Sequence, residues 1–177
     1  MKTYIALLKG INVGGHKKVP MIDLRNLLEK EGFQNVQTYI QSGNVILQTS
    51  ESNKLEIEEY ISKAIQSHFG FEVSVLVKTR TELLNIFEKS PFNEEKKKAS
   101  YFMMLHDEPK AEVVREASQK VYEGEEYHII NDCIYYFHDK GLGKAKFNVN
   151  FFERKFQTFA TARNYNTMLK LLSLSED

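Results

Sequence analysis

The sequence predicts an α+β protein built from two ferredoxin-like lobes, with extra helices at the C-terminal end. Three observations predict it. Period-two runs of apolar residues alternate with helical 3.6-residue spacing in the order β-α-β-β-α-β over the first half. A polar seam, "KSPFNEEKKKAS" at residues 89–100, interrupts the pattern. A comparable order then resumes, which reads as an internal structural repeat and divides the chain into lobes 1–90 and 91–177.

The first strand is "YIALLK", where Tyr4, Ala6 and Leu8 alternate with Ile5, Leu7 and Lys9 up to Gly10. A loop follows as far as Pro20, whose missing N–H suits the first turn of a helix. Met21, Leu24, Leu27 and Leu28 share one helical face, and Gly32 is placed to cap a helix of 20–31 in left-handed geometry. Two β-rich runs, 35–40 and 44–48, flank Gln41-Ser42-Gly43 as a hairpin. Asn53 with Glu56 forms a capping box for a helix that keeps apolar spacing to Phe69 and stops at Gly70. "FEVSVLVK", 71–78, is the fourth strand.

Thr79 with Glu82 opens a connecting helix over 80–88, ended by Ser90-Pro91. "EEKKK", 94–98, reads as a solvated charge run. Beyond it come a strand, "SYFMMLH", and a helix opened by Asp107 and Pro109 that carries Val114, Ala117 and Val121. "EEYHIINDCIYYFHD" is a hairpin about Asn131-Asp132. Two helices complete the chain, one over 145–156 and one marked by Tyr165, Met168, Leu169 and Leu172.

Several function classes are excluded by composition. Lys plus Arg and Asp plus Glu both number 24 in 177 residues, so no global field exists to hold a polyanion, and only a local basic patch can serve. The single cysteine, Cys133, closes no intrachain disulfide and reads as strand packing in a protein of the reducing cytoplasm. No stretch reaches the roughly 20 apolar residues of a membrane span, so no membrane partner is expected. Residues 1–15 lack the pattern of a signal peptide, and Met1 is expected to begin the mature fold. No His, Cys, Asp or Glu spacing suggests a metal site, and no cofactor motif is present; His68, His128 and His138 read as packing or surface residues.

The segments "YIALLKGINVGGHKKVPMIDLRNLLEKEGFQNVQTYIQSGNVIL" and "GLGKAKFNVNFFERKFQTFATARNYNTMLKLLSL" resemble the domain-of-unknown-function family 1697 of bacterial proteins. The resemblance extends over essentially the whole chain and implies a two-lobed α+β fold with ferredoxin-like halves, without implying an activity. After Gly141-Leu142-Gly143 the family usually carries a basic residue, serine and lysine, whereas this chain has Lys144, Ala145 and Lys146. It also has Gln157 where glycine is usual and Tyr165 where tryptophan is usual.

Two constellations are candidates for function. The first is the loop with Lys9, Asn12, Gly14, Gly15, His16, Lys17 and Lys18, which precedes a helix N-terminus whose free N–H groups attract anions. It matches neither the Walker nor the dinucleotide glycine pattern. The second is "TARNYNT", 161–167, in which helical spacing sets Arg163, Asn166 and Lys170 on a polar face and Thr161 or Asn164 caps the last helix. Ser42 and Asn44 add short polar groups at the hairpin.

Together these residues point to a binding module for a phosphate-bearing ligand, either a nucleotide or a nucleic-acid backbone. An RNA-recognition surface in the first lobe is disfavoured, because "NVILQ" lacks stacking aromatics; "CIYYFH" in the second lobe retains them. The alternative is an acylphosphatase-like hydrolase of a phosphoryl or acyl group, with Lys17 or Lys18 stabilising charge and Asn44 orienting water. A third reading is a protein-interaction module that uses an exposed sheet face.

Overall fold

The computed structural model describes residues 1–140 and 142–176, so Gly141 of the "GLGKAK" departure lies outside the described residues. The chain divides into two compact units, one of Met1–Leu84 with the residues from Lys170 onward, the other of Asn85–Leu169. The boundary thus differs from the division at 90/91, because the C-terminal residues return to the first unit. There Arg80 donates through Nε to the carbonyl of Leu172 at 3.2 Å and pairs with Glu176 at 2.9 Å. Contacts more than 90 positions apart leave no trace in local periodicity.

In the first unit the order is β1 (Lys2–Leu8), α1 (Met21–Lys30), β2 (Gln34–Tyr39), β3 (Asn44–Thr49), α2 (Lys54–Phe69) and β4 (Val75–Lys78). The sheet order is β2-β3-β1-β4 with every neighbouring pair antiparallel. Register sets Leu7 opposite Asn44 and Ile5 opposite both Ile46 and Lys78. Period-two alternation sends Tyr4, Ala6, Leu8, Val45, Leu47, Val75 and Val77 into one core with Leu24 and Leu28 of α1 and Ile57, Ile61 and Ile65 of α2. Each such aliphatic side chain contributes about 1.5–3 kcal/mol by leaving water. The other face of the sheet is equally closed, since Ile5, Leu7, Ile46 and Leu76 are all buried.

The caps follow the sequence reading. Asn53 accepts from the Leu55 N–H and donates to Glu56, while Gly70 ends α2 at φ 83°. Thr79 and Glu82 bond reciprocally at the start of α3 (Arg80–Glu88), and such a cap contributes about 1 kcal/mol. The fourth strand is shorter than expected, because β1 offers it partners only from Leu8 back to Ile5.

The second unit runs α4 (Glu94–Lys98), β5 (Tyr101–Leu105), α5 (Ala111–Ala117), β6 (Glu125–Ile130), β7 (Cys133–His138), a 3-10 turn at Leu142–Lys144, α6 (Val149–Phe156) and β8 (Ala160–Asn164). Its sheet order, β6-β7-β5-β8, is also antiparallel throughout. Tyr136, Phe147 and Phe152 centre the core, and Cys133 of β7 is fully buried. The last helix is α7 (Tyr165–Leu174).

Four expectations are corrected here. The 94–98 charge run is a short helix, because Asn93 caps it on the Lys96 N–H and Lys96 pairs with Glu126 at 2.5 Å. The α5 helix stops at Ala117, which leaves Val121 86% exposed. The α6 helix begins only at Val149, where Asn148 accepts from the Phe151 N–H. Residues 160–164 form a strand, paired from Leu105↔Ala160 to Tyr101↔Asn164. Arg163 is therefore a strand residue rather than part of a helical first turn.

Candidate functional site

Between β1 and α1 the chain makes a folded loop. Gly14 and Gly15 lie at φ 57° and 79°, and the His16 N–H donates to the Val13 carbonyl at 3.0 Å. Two central residues at positive φ define a tight hairpin turn of the type I′ kind, so the glycine pair is required by the turn itself. Asn12 fastens its base. The Val19 N–H donates to Oδ1 of Asn12 at 2.8 Å, and Nδ2 donates to the carbonyls of Val19 and Gln41 at 2.9 and 2.8 Å. The side-chain amide thus ties both ends of the loop to the β2–β3 connection.

Within the clasped loop two non-glycine residues adopt the sparsely populated left-handed region. Gly10, Asn12, Gly14, Gly15 and Lys17 are all left-handed, and Asn12 and Lys17 adopt φ of 54° and 46° without being glycine. The Lys17 ammonium donates to the Glu72 carbonyl at 2.7 Å, which fixes its stem on the surface. His16, Lys17 and Lys18 are exposed, and Lys9 is half-buried. Pro20 at the start of α1 provides no side-chain cap, so no side-chain acceptor on Pro20 occupies the first N–H groups of that helix. Asp23 adds a carboxylate to the same first turn.

The hairpin residues have structural duties. Asn44 is fully buried, and its Nδ2 donates to the Tyr39 carbonyl at 3.0 Å and to Ser42 Oγ at 2.9 Å. Both amide hydrogens are spent inside the turn. Beside them, Ile40 adopts φ 49° and is 50% exposed, an unusual state for a β-branched residue.

The "TARNYNT" segment belongs to the second unit. Arg163 is 6% exposed, and its Nη1 donates to Thr161 Oγ1 and to the Ala162 carbonyl, both at 2.8 Å. Burial pulls its pKa down to about 10, which still leaves it charged at neutral pH. Asn164 caps α7 by accepting from the Thr167 N–H at 2.9 Å, and Asn166 is exposed. Tyr135 and Tyr136 of "CIYYFH" are buried, and Tyr135 donates to the Ile86 carbonyl at 2.7 Å. Neither ring is available to stack on a base.

Sequence reasoning identified the exposed cations but missed the Asn12 clasp, which depends on a contact 29 residues away. The only local signal was asparagine, the residue that best tolerates left-handed geometry after glycine.

The fold and loop define a class: a two-unit α+β protein, each unit a four-stranded antiparallel sheet with its helices, carrying a braced cationic loop after its first strand. The profile of the family described as "Protein of unknown function (DUF1697)" matches residues 1–135. The chain belongs to that family. A solved structure described as that of a conserved bacterial protein from Streptococcus pneumoniae is similar in fold, with a TM-score of 0.77 and 21% identity, over 100% of this chain and 99% of that one. No curated protein matches the chain. Among the described residues no helix is long and apolar enough to cross a membrane.

Proposed function

We propose that the chain binds a phosphate-bearing ligand, a nucleotide or a nucleic-acid backbone, at the loop between β1 and α1. One observation carries the reading: the Asn12 clasp braces a strained loop whose tip nevertheless turns three cationic-type side chains, His16, Lys17 and Lys18, to solvent. Strain maintained by dedicated hydrogen bonds at an exposed tip is a feature of binding loops. The cations supply attraction, and the start of α1 adds its partial positive charge. Arg163 is left out, since its guanidinium is buried against Thr161 and Ala162.

The hydrolase alternative draws less support. A water-orienting asparagine must reach solvent, whereas Asn44 is fully buried with its amide committed to Tyr39 and Ser42. Protein interaction through an open sheet face is likewise disfavoured, because both faces of β1, β3 and β5 are closed.

A thermal-shift panel of inorganic phosphate, ATP, GTP and short RNA tests the reading. A stabilising shift with at least one member, falling with added salt and lost in the Lys17→Ala/Lys18→Ala double variant, is expected. No shift with any of them in the native protein overturns it.

A further inference from the structure

The loop after β1 and the turn between β2 and β3 leave the same end of the first sheet, where the Leu8 N–H donates to the Gly43 carbonyl at 2.8 Å and Leu7 stands opposite Asn44. Each carries an aliphatic side chain in water. Val13 opens the tight turn that His16 closes and is 64% exposed, and Ile40, in the β2–β3 connection, is 50% exposed. The 2.8 Å bond from Asn12 Nδ2 to the Gln41 carbonyl joins the two segments. Val13 follows one of its partners and Ile40 precedes the other, so each is about 3.8 Å of chain from that bond.

Ile40 is the informative residue. Among the described residues the non-glycine positions at positive φ are three asparagines, Lys17, Gln157 and Ile40, and of these Ile40 alone is β-branched. Crowding at Cβ makes this the least suitable side-chain type there, and glycine or asparagine would hold the same turn at lower cost. Packing does not offset the strain, because the residue is half exposed and stands outside the unit's core. Strain kept at an exposed residue, one position from the bond that ties down a cationic loop, is the arrangement of a ligand clamp.

The two surfaces define the ligand's chemistry. His16, Lys17 and Lys18 attract phosphate, whereas Val13 and Ile40 offer apolar area to a flat, weakly hydrated group. A duplex backbone presents phosphate and sugar while its base faces stay stacked. A single strand calls for aromatic platforms under successive bases, and residues 10–18 and 40–43 contain no Phe, Tyr or Trp. One phosphate chain carrying one base matches both surfaces.

We propose that Ile40 and Val13 form the base-contacting edge of the phosphate loop, so that its ligand is a free nucleotide rather than a nucleic acid. The proposal rests on the phosphate reading of the loop and adds the contact that tells a nucleotide from bare phosphate. Calorimetric titration of the full chain with ATP, sodium tripolyphosphate and a short oligouridine, together with sedimentation on phosphatidylserine vesicles, tests it. ATP is expected to bind about tenfold more tightly than tripolyphosphate. Ile40→Gly is expected to raise the melting temperature by relieving the left-handed strain, yet to weaken ATP about fivefold and leave tripolyphosphate unchanged. Val13→Ser weakens ATP about threefold. Equal binding of tripolyphosphate and ATP, or ATP affinity unchanged in Ile40→Gly, overturns the base contact and leaves the phosphate loop standing; binding of neither removes both. Loss of affinity with a lower melting temperature makes Ile40 a structural residue and overturns the proposal. Oligouridine binding more tightly than ATP, or vesicle binding that Ile40→Gly abolishes, gives the aliphatic edge to a nucleic acid or a lipid surface and overturns it as well.

Discussion

The two units share one strand order but fill their cores differently. In the first, helices of 10 and 16 residues cover the sheet, and the core is chiefly Leu, Ile and Val. In the second, α5 and α6 have only seven and eight residues, so fewer side chains reach the sheet. Aromatic volume replaces helix length. Phe147 stacks on Phe152 at 4.8 Å, and Tyr127, Tyr136 and Phe156 complete the cluster around them. A short helix covers a four-stranded sheet only if each inward residue is large, and large rings make each position less replaceable.

That contrast breaks most directly at Phe152. Phe152→Ala is expected to cost about 3–5 kcal/mol in chemical denaturation, because the fully buried ring leaves a void that short helices cannot close. A cost below about 1 kcal/mol rejects the claim that rings stand in for helix length.

In the first unit the glycine with least room is in a turn. A Cβ on Gly43 meets the Leu8 Cβ at 2.7 Å at φ 77°, so Gly43→Ala is expected to cost about 2–3 kcal/mol and to loosen the connection that Asn12 grips. Thermal melting and hydrogen exchange at residues 9–19 read both effects.

A smaller gain is expected at Gln157, the left-handed cap of α6 at φ 54°. Glycine there relieves Cβ strain, and Gln157→Gly is expected to stabilise by about 1 kcal/mol. Glutamine at this left-handed cap thus has a physical reading as a tolerated cost.

Acid provides a further contrast, because one carboxylate organises the second unit's 142–148 segment. Burial pushes Glu125 upward in pKa, but hydrogen bonds from Tyr136 Oη and the Lys146 and Phe147 N–H groups, with His138 nearby, outweigh it and leave the pKa lowered. A lowered folded pKa contributes stability that is complete above the unfolded value and lost as pH falls through the folded one. Glu125→Gln is therefore expected to destabilise near neutrality and to flatten the stability profile below about pH 4, the unfolded carboxylate range. An unchanged profile assigns the acid response to other groups.

In the first unit, element order and caps were legible in the sequence because they depend on neighbours: Asn53 with Glu56, Thr79 with Glu82, Gly70 after α2. What was not legible depends on distant partners. Strand β8 is five residues long with a polar end, and only its pairing with β5 makes it a strand. Arg163 was consequently read on a helical face. The exposed cations of the loop were visible, whereas the clasp that ties the loop to the β2–β3 connection needed a partner 29 residues away.

The central claim is that the braced loop binds phosphate, and amide chemical shifts report on it residue by residue. Titration of the ¹⁵N-labelled protein with ATP is predicted to perturb Gly14, Gly15, His16, Lys17, Lys18 and the first turn of α1 in a saturable way. The same titration of Lys17→Ala/Lys18→Ala is predicted to leave those amides in place. Perturbations absent from the loop, or equally large in the double variant, contradict the account.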